Sequence, residues 1–504
     1  MSMPGESPNA RTNPLGQHPH LPRALRTASI IFMVVAAVAP LGAASVVLPT
    51  IFAASENPVS PLYIVGAGVI LCLFAVGFTQ MGRNVRDAGA FYTYIQAGLG
   101  RLAGAAAATL ALASYVALLV AIYAYFGFFA AVLLEGYAGV SAPWWILSLM
   151  SIALVGALGY RDVDLSAKVL GGLLVLEILV IVTVDVAIIA RGGASGLSAA
   201  PLDVSQAFDG APGLGLMFAF FAFVGFEATA VFRSEAFDPD RTIPRATYGA
   251  ILLIVLLHGV TSWAQAVGVG TDEVVGEATA NTAGFMLSLS HTYVGQAFQH
   301  VFQVLLLTSM IACLLSFHNV VTRYQFNLAH GGLLPDRLGR VNPKHHAPSN
   351  SSTVVTAVCV AVLGSLAVLG LDPVAEIYTW LSGAGTLGVI ILMALTSLAV
   401  VVYFRRRGDR GPVWKVVIAP VLSLAGLSCV AYLAINNLPL LLGGRSVGVV
   451  VCAAITACLV VGAVVSAIRR STDRPAVVPA RSDSTPPAST GRNDSSSQRR
   501  RSAD

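Results

Sequence analysis

Apolar residues in this chain come in long unbroken blocks, and each block is closed by a short polar joint bearing glycine, proline or arginine. Twelve blocks reach roughly the 17 residues or more that a helix needs to cross a hydrocarbon core about 30 Å thick. They predict spans over 28–52, 59–80, 103–134, 143–159, 167–190, 213–232, 248–269, 298–328, 354–369, 374–403, 413–433 and 447–468. The pattern therefore predicts an all-α polytopic membrane protein of twelve transmembrane helices.

Two blocks contain helix-disrupting residues near their middle. Span 1 carries APLGAAS at Ala39–Ser45, where Pro40 removes a backbone donor and obstructs the preceding turn, and Gly42 adds freedom. Span 6 carries Gly225 and, two residues on, the acid Glu227. An odd separation of five spans inverts the second unit relative to the first. Interrupted helices at matching positions of two halves point to a transporter site between them. Spans 1–10 then form a core of five plus five, over 28–370 and 371–403, and spans 11 and 12, over 404–468, are appended. The flanking stretches 1–27 and 469–504 are rich in Pro, Ser and Arg and read as disordered tails.

Composition agrees with lipid as the solvent. Of 504 residues, 56% are hydrophobic and 11% charged, against about a quarter charged in soluble domains. The net charge of +5 speaks for membrane topology rather than nucleic acid, because of where it falls. With a cytoplasmic N-terminus, the inner joints collect basic residues from Arg83 and Arg86 to Arg407 and Arg410, and the outer ones keep Arg191 and Arg445. That bias predicts both termini inside, in the cytoplasmic membrane. The cysteines lie in apolar blocks without C-x-x-C spacing, so neither disulfides nor a metal site are indicated, and no cofactor is expected. No Walker loop is present and no nucleophile has a partner, so an enzyme ranks last and transport must be driven by a gradient or by exchange.

Candidate chemistry follows from the breaks. Gly42, Ala43 and Ala44 lie just past Pro40, where unwinding frees amides near a positive helix end and suits a carboxylate; the alternative is close helix packing through small residues. Phe221 and Val224 are placed at a pocket wall just before Gly225. Glu227 either bonds amides freed by the break or contacts substrate. Glu177, in LLVLEILVI with no local polar company, is the proton-coupling candidate, the alternative being a neutral structural acid. Ser309 and Ser316 in span 8 either coordinate sodium or bond the preceding helical turn. SGAG at Ser382–Gly385 reads as a further local break or a packing contact.

Four stretches carry a family resemblance: AGAFYTYIQAGLGR, SAKVLGGLLVLE, FVGFEATAVFRSEAFDPDRTIPRA and TRYQFNLAHGGLLPDRLGRV. With them the chain resembles the amino acid permease branch of the amino acid-polyamine-organocation transporters. The resemblance implies a leucine-transporter-like inverted-repeat core with substrate midway between spans 1 and 6. It puts Gly42, Ala43 and Ala44 where many members have Gly-Ser-Gly receiving a carboxylate, Phe221 at an aromatic gate, and Glu227 at the family's span 6 glutamate. Glu177 matches a position where some proton-coupled relatives have lysine. APLGAAS departs from the pattern and leaves room for amines lacking a carboxylate; acid for lysine reverses the sign at position 177. The expected function is a secondary transporter of an amino acid or small amine, proton-coupled. Its rivals are a polyamine or organic amine exchanger, a sodium-coupled permease, and a ligand-binding membrane sensor without transport.

Overall fold

The computed structural model describes residues 26–85, 90–161, 167–234, 236–345, 347–407, 411–442 and 444–472. Most of the two flanking stretches, together with Arg86 and Arg410, lies outside the described residues. Every regular element among the described residues is a helix. In lipid this follows from bookkeeping of backbone groups, since a helix alone satisfies its amides and carbonyls within one segment.

By length and apolarity ten of these helices can cross a membrane, or eleven when the bent pair at the start of the chain is taken as one span. The remaining predicted segment is the shorter apolar helix Trp144–Tyr160. Large apolar side chains face outward along the helices, Met150 at 62% and Leu256 at 66% exposure among them, as a lipid-facing surface requires.

Span 1 is broken. Its first half, Thr27–Val38, ends at Ala39, and Pro40–Ser55 leaves at a bend of 42°. Ala39 is left-handed, at φ 51° and ψ 74°. The residue before a proline is barred from the right-handed helical well by the ring, so the strain falls there. Gly42 is ordinary right-handed helix at φ −63°, contrary to the expectation that its freedom helps break the span. A π-helical turn over Ala43–Val47 follows.

Span 6 is broken as its glycine predicts. The helix Pro212–Phe221 ends, non-helical turns run to Gly225 at φ +113°, and a tighter helix resumes over Phe226–Ser234. The crowded phenylalanines all turn inward: Phe218, Phe220, Phe223 and Phe226 are at most 1% exposed. None faces lipid.

Two stretches that lie between the predicted spans are helical. DPDRTIPRA opens the helix Pro239–Val269, with Pro239 at its first position, where a missing amide costs nothing. The joint after span 2 contains the helix Ala90–Leu99. The charged start of span 7 is tied down by Arg233–Asp240 at 2.5 Å, and Arg83 donates to the Asp240 carbonyl at 2.7 Å. SGAG lies in the continuous helix Thr379–Arg407, where Gly385 lets span 10 press on Leu118 of span 3: a methyl there would come within 2.8 Å of that side chain. It is a packing contact. Span 11 packs on spans 2, 6 and 10, and so touches one of the broken spans, while span 12 packs on spans 3 and 11.

Candidate functional site

The two breaks face one another across a cavity of about 50 Å³. Gly42, Ala43 and Val46 contribute one wall and Phe221 and Val224 another, with Tyr125, Met310, Phe317 and Tyr378 closing it. The Tyr378 ring stands 5.5 Å from that of Tyr125 and 6.2 Å from that of Phe221. Every residue lining the space is apolar, aromatic or a buried cysteine, Cys313. That volume holds one or two waters and is far short of the ~300 Å³ of an ordinary ligand pocket. Admitting a larger guest requires the aromatic wall to shift.

Each break is capped by a carboxylate. At span 6, Glu227 Oε2 accepts the Gly225 amide at 2.9 Å and Oε1 accepts the Tyr115 hydroxyl at 2.5 Å. Gly225 must adopt a conformation that L side chains avoid, and its amide, lost to the helical ladder, is satisfied by the acid two residues on. At span 1, the amide of Leu41 donates to Glu177 Oε2 at 3.2 Å, across 136 residues of sequence. Both carboxylates are 5% exposed. The second half of span 1 is further held by Gln265 of span 7, whose Nε2 donates to the Ala44 carbonyl at 2.7 Å.

The residues expected at a site therefore divide. Gly42, Ala43, Phe221 and Val224 line the cavity, whereas Pro40, Ala44, Gly225 and Glu227 do not and shape the backbone around it. The amide that the break releases is Leu41's; that of Ala43 donates to the Ala39 carbonyl at 3.0 Å. Ser309 stands beside the Glu177 carboxylate, though its hydroxyl closes no bond of normal length. Ser316 is half-buried two turns further along and lines no part of the cavity.

Several residues of this region went unnoticed in the sequence. Asp185, 3% exposed, accepts the Thr261 hydroxyl at 2.7 Å. His258 is fully buried beside the Pro40 carbonyl. Both had the signal that singled out Glu177, a polar group deep in an apolar run: IVTVDVAII and LLIVLLHGV. Tyr115 and Tyr378 had none, because a tyrosine in a span is equally at home as packing.

The sequence profile of the family described as amino acid permease matches residues 25–465. Among curated relatives, the chain is 28% identical over 221 residues to the branched-chain amino acid permease BcaP of Bacillus subtilis, covering 42% of each chain. It is 27% identical over 293 residues to the aromatic amino acid transport protein AroP of Escherichia coli K12, covering 54% of this chain and 59% of the relative. The chain thus spans about half the length of the curated relatives it matches. Among solved structures, a manganese transporter of Eremococcus coleocola in complex with an aromatic bis-isothiourea substituted compound superposes with a TM-score of 0.55 at 14% identity, over 88% of this chain and 95% of that one. At that identity the likeness shows the fold alone.

Proposed function

The chain belongs to the amino acid permease family, and on that premise we propose that it is a secondary transporter of amino acids with apolar side chains, working by alternating access between its two broken spans and coupled to protons. The observation that carries the substrate class is the cavity wall. Val46, Val224, Met310 and four aromatic rings offer a large side chain dispersion and an escape from water, and no charged group lines the space among the described residues. A lysine, glutamate or polyamine would shed its hydration there without a counter-charge. The names of two relatives, a branched-chain permease and an aromatic transporter, point the same way.

The protein is oriented in the cytoplasmic membrane with both termini inside, on the distribution of its arginines. On this reading spans 1–10 form the transport core, with span 11 lying against spans 2, 6 and 10 and span 12 against span 3. Protons are favoured over sodium because Glu177 is a buried carboxylate at a break with no ion-pair partner among the described residues. The serines expected to hold sodium do not converge, since only Ser309 is near it.

The test is uptake into liposomes under an inward proton gradient. Leucine, isoleucine and phenylalanine are expected to accumulate, with lysine, glutamate and spermidine excluded, and replacement of sodium by choline is expected to change nothing. Absence of uptake of every neutral amino acid, with binding retained, would instead establish a sensor. Glu177→Gln keeps an acceptor for the Leu41 amide; it is expected to abolish proton-driven accumulation while leaving exchange, and an unchanged pH dependence would remove Glu177 from the mechanism.

A further inference from the structure

Beside span 1 lies a second buried polar cluster, none of whose members lines the cavity. On span 7, His258, Thr261 and Gln265 recur at helical spacing and are all fully buried. Facing them, span 5 carries Glu177 and Asp185, eight residues and so about 12 Å apart along the helix. The pieces are joined: Asp185 Oδ2 accepts from Thr261, one turn from His258, which abuts the Pro40 carbonyl, next to the Leu41 amide that Glu177 caps.

What distinguishes this seam from ordinary packing is its unspent bonding capacity. Asp185 Oδ1 and the Gln265 amide oxygen are buried without a partner among the described residues, and the only polar group there that the His258 ring meets is the Pro40 carbonyl, with which it closes no bond of normal geometry. Such groups are uncommon in native interiors, and all the more so at membrane depth, where each is expensive and marks a path for ions or protons. Neither acid is ion-paired among the described residues. Other titratable groups on the elements packed here are few or occupied. Span 1 brings none over Thr27–Ser55 and span 8 brings Cys313 near Glu177. His300 pairs with Tyr137, His318 with Ser352, and His291 is exposed, while Arg191 bonds the Thr292 carbonyl at 3.1 Å.

We propose that Asp185 is a second proton-carrying carboxylate, at the outer end of a route that runs through His258 to Glu177 and is separate from the substrate cavity. This rests on the proton-coupled reading above. A proton from the outer phase adds to Asp185 Oδ1. Its transfer to a His258 ring nitrogen restores the carboxylate and forms an imidazolium, which then gives a proton to Glu177 and returns to neutral imidazole. Nothing is oxidised and only the proton changes place.

Asp185→Asn keeps the size of the side chain and an acceptor for Thr261. In liposomes its proton-driven accumulation is expected to fall at least tenfold while counterflow exchange stays within about threefold of the parent, and the pH profile of uptake is expected to flatten. His258→Gln is expected to show the same split. Thr261→Val, which leaves both titratable groups, is expected to keep accumulation and move only its pH midpoint. Accumulation and pH profile equal to the parent in Asp185→Asn overturn the assignment. So does equal loss of accumulation and exchange in a variant with a parental melting temperature, which marks a structural role. Should Asp185→Asn not fold, full accumulation in His258→Gln overturns the route. Uptake by the unaltered protein without proton dependence refutes the underlying reading instead.

Discussion

Replacing Glu227 separates a carboxylate that holds a broken helix from one that carries charge for transport. The carboxylate accepts from the Gly225 amide at 2.9 Å and the Tyr115 hydroxyl at 2.5 Å, and is 5% exposed. Glu227→Ala leaves both donors buried and unsatisfied, at about 1–3 kcal/mol each, so about 2–6 kcal/mol in all before any cavity is counted. Against a net stability of about 5–15 kcal/mol, that is a severe loss. Glu227→Gln retains one oxygen for the Gly225 amide, and the Tyr115 hydroxyl can turn to accept from the new NH₂ group. Its cost is the charge assistance alone, about 1 kcal/mol. Tyr115→Phe removes one donor and should fall between. Melting of the purified protein and equilibrium binding of phenylalanine read the series. The melting temperature should fall little in the glutamine variant and markedly in the alanine variant, with phenylalanine binding weakened in the same order. Glutamine as damaging as alanine would mean that the negative charge is what matters. An alanine variant with parental melting would mean that the carboxylate does not hold the break.

Three further substitutions probe the walls and the breaks. Gly225→Ala has room for its methyl, whose nearest neighbour is a Val38 methyl at 3.6 Å, so its penalty is backbone strain at φ +113°, about 1–3 kcal/mol. A clear drop in melting temperature is expected there and not in Gly42→Ala, where φ is −63° and the nearest atom lies 3.8 Å away. Equal melting of the two would remove strain as the explanation. Phe221→Ala removes part of the aromatic wall of a cavity of about 50 Å³ and should shift competition for uptake from isoleucine toward tryptophan; an unaltered ranking would place the specificity elsewhere.

What could be read from the residues and what could not divides along sequence distance. The interruption of span 6 is visible because only glycine takes φ +113° without strain, and Gly225 falls in the middle of the run, two residues before an acid. The interruption of span 1 is visible through Pro40, yet its seat is Ala39: proline restricts the residue before it more than Gly42 loosens the residue it occupies. Glu227 is legible as a cap because its amide is two residues away. Glu177 is not, because its partner lies 136 residues off and nothing local announces Leu41. The start of span 7 was hidden by its charges, which hold the end of the helix through Arg233 and Asp240 and do not interrupt it.

The two capped breaks look alike but differ in ownership. Span 6 carries its carboxylate within the same segment, so the cap on Gly225 involves no other span, and Tyr115 of span 3 bonds only the other oxygen. Span 1 borrows its carboxylate from span 5, so any motion that parts those helices must first undo the Leu41–Glu177 bond. One is a joint and the other a latch. A change in the charge of Glu177 alters the contact between spans 1 and 5, whereas the same change at Glu227 alters the cap inside span 6 together with its bond to Tyr115 of span 3. On the proton-coupled reading proposed above, the asymmetry places sensitivity to the driving ion at the contact between spans 1 and 5.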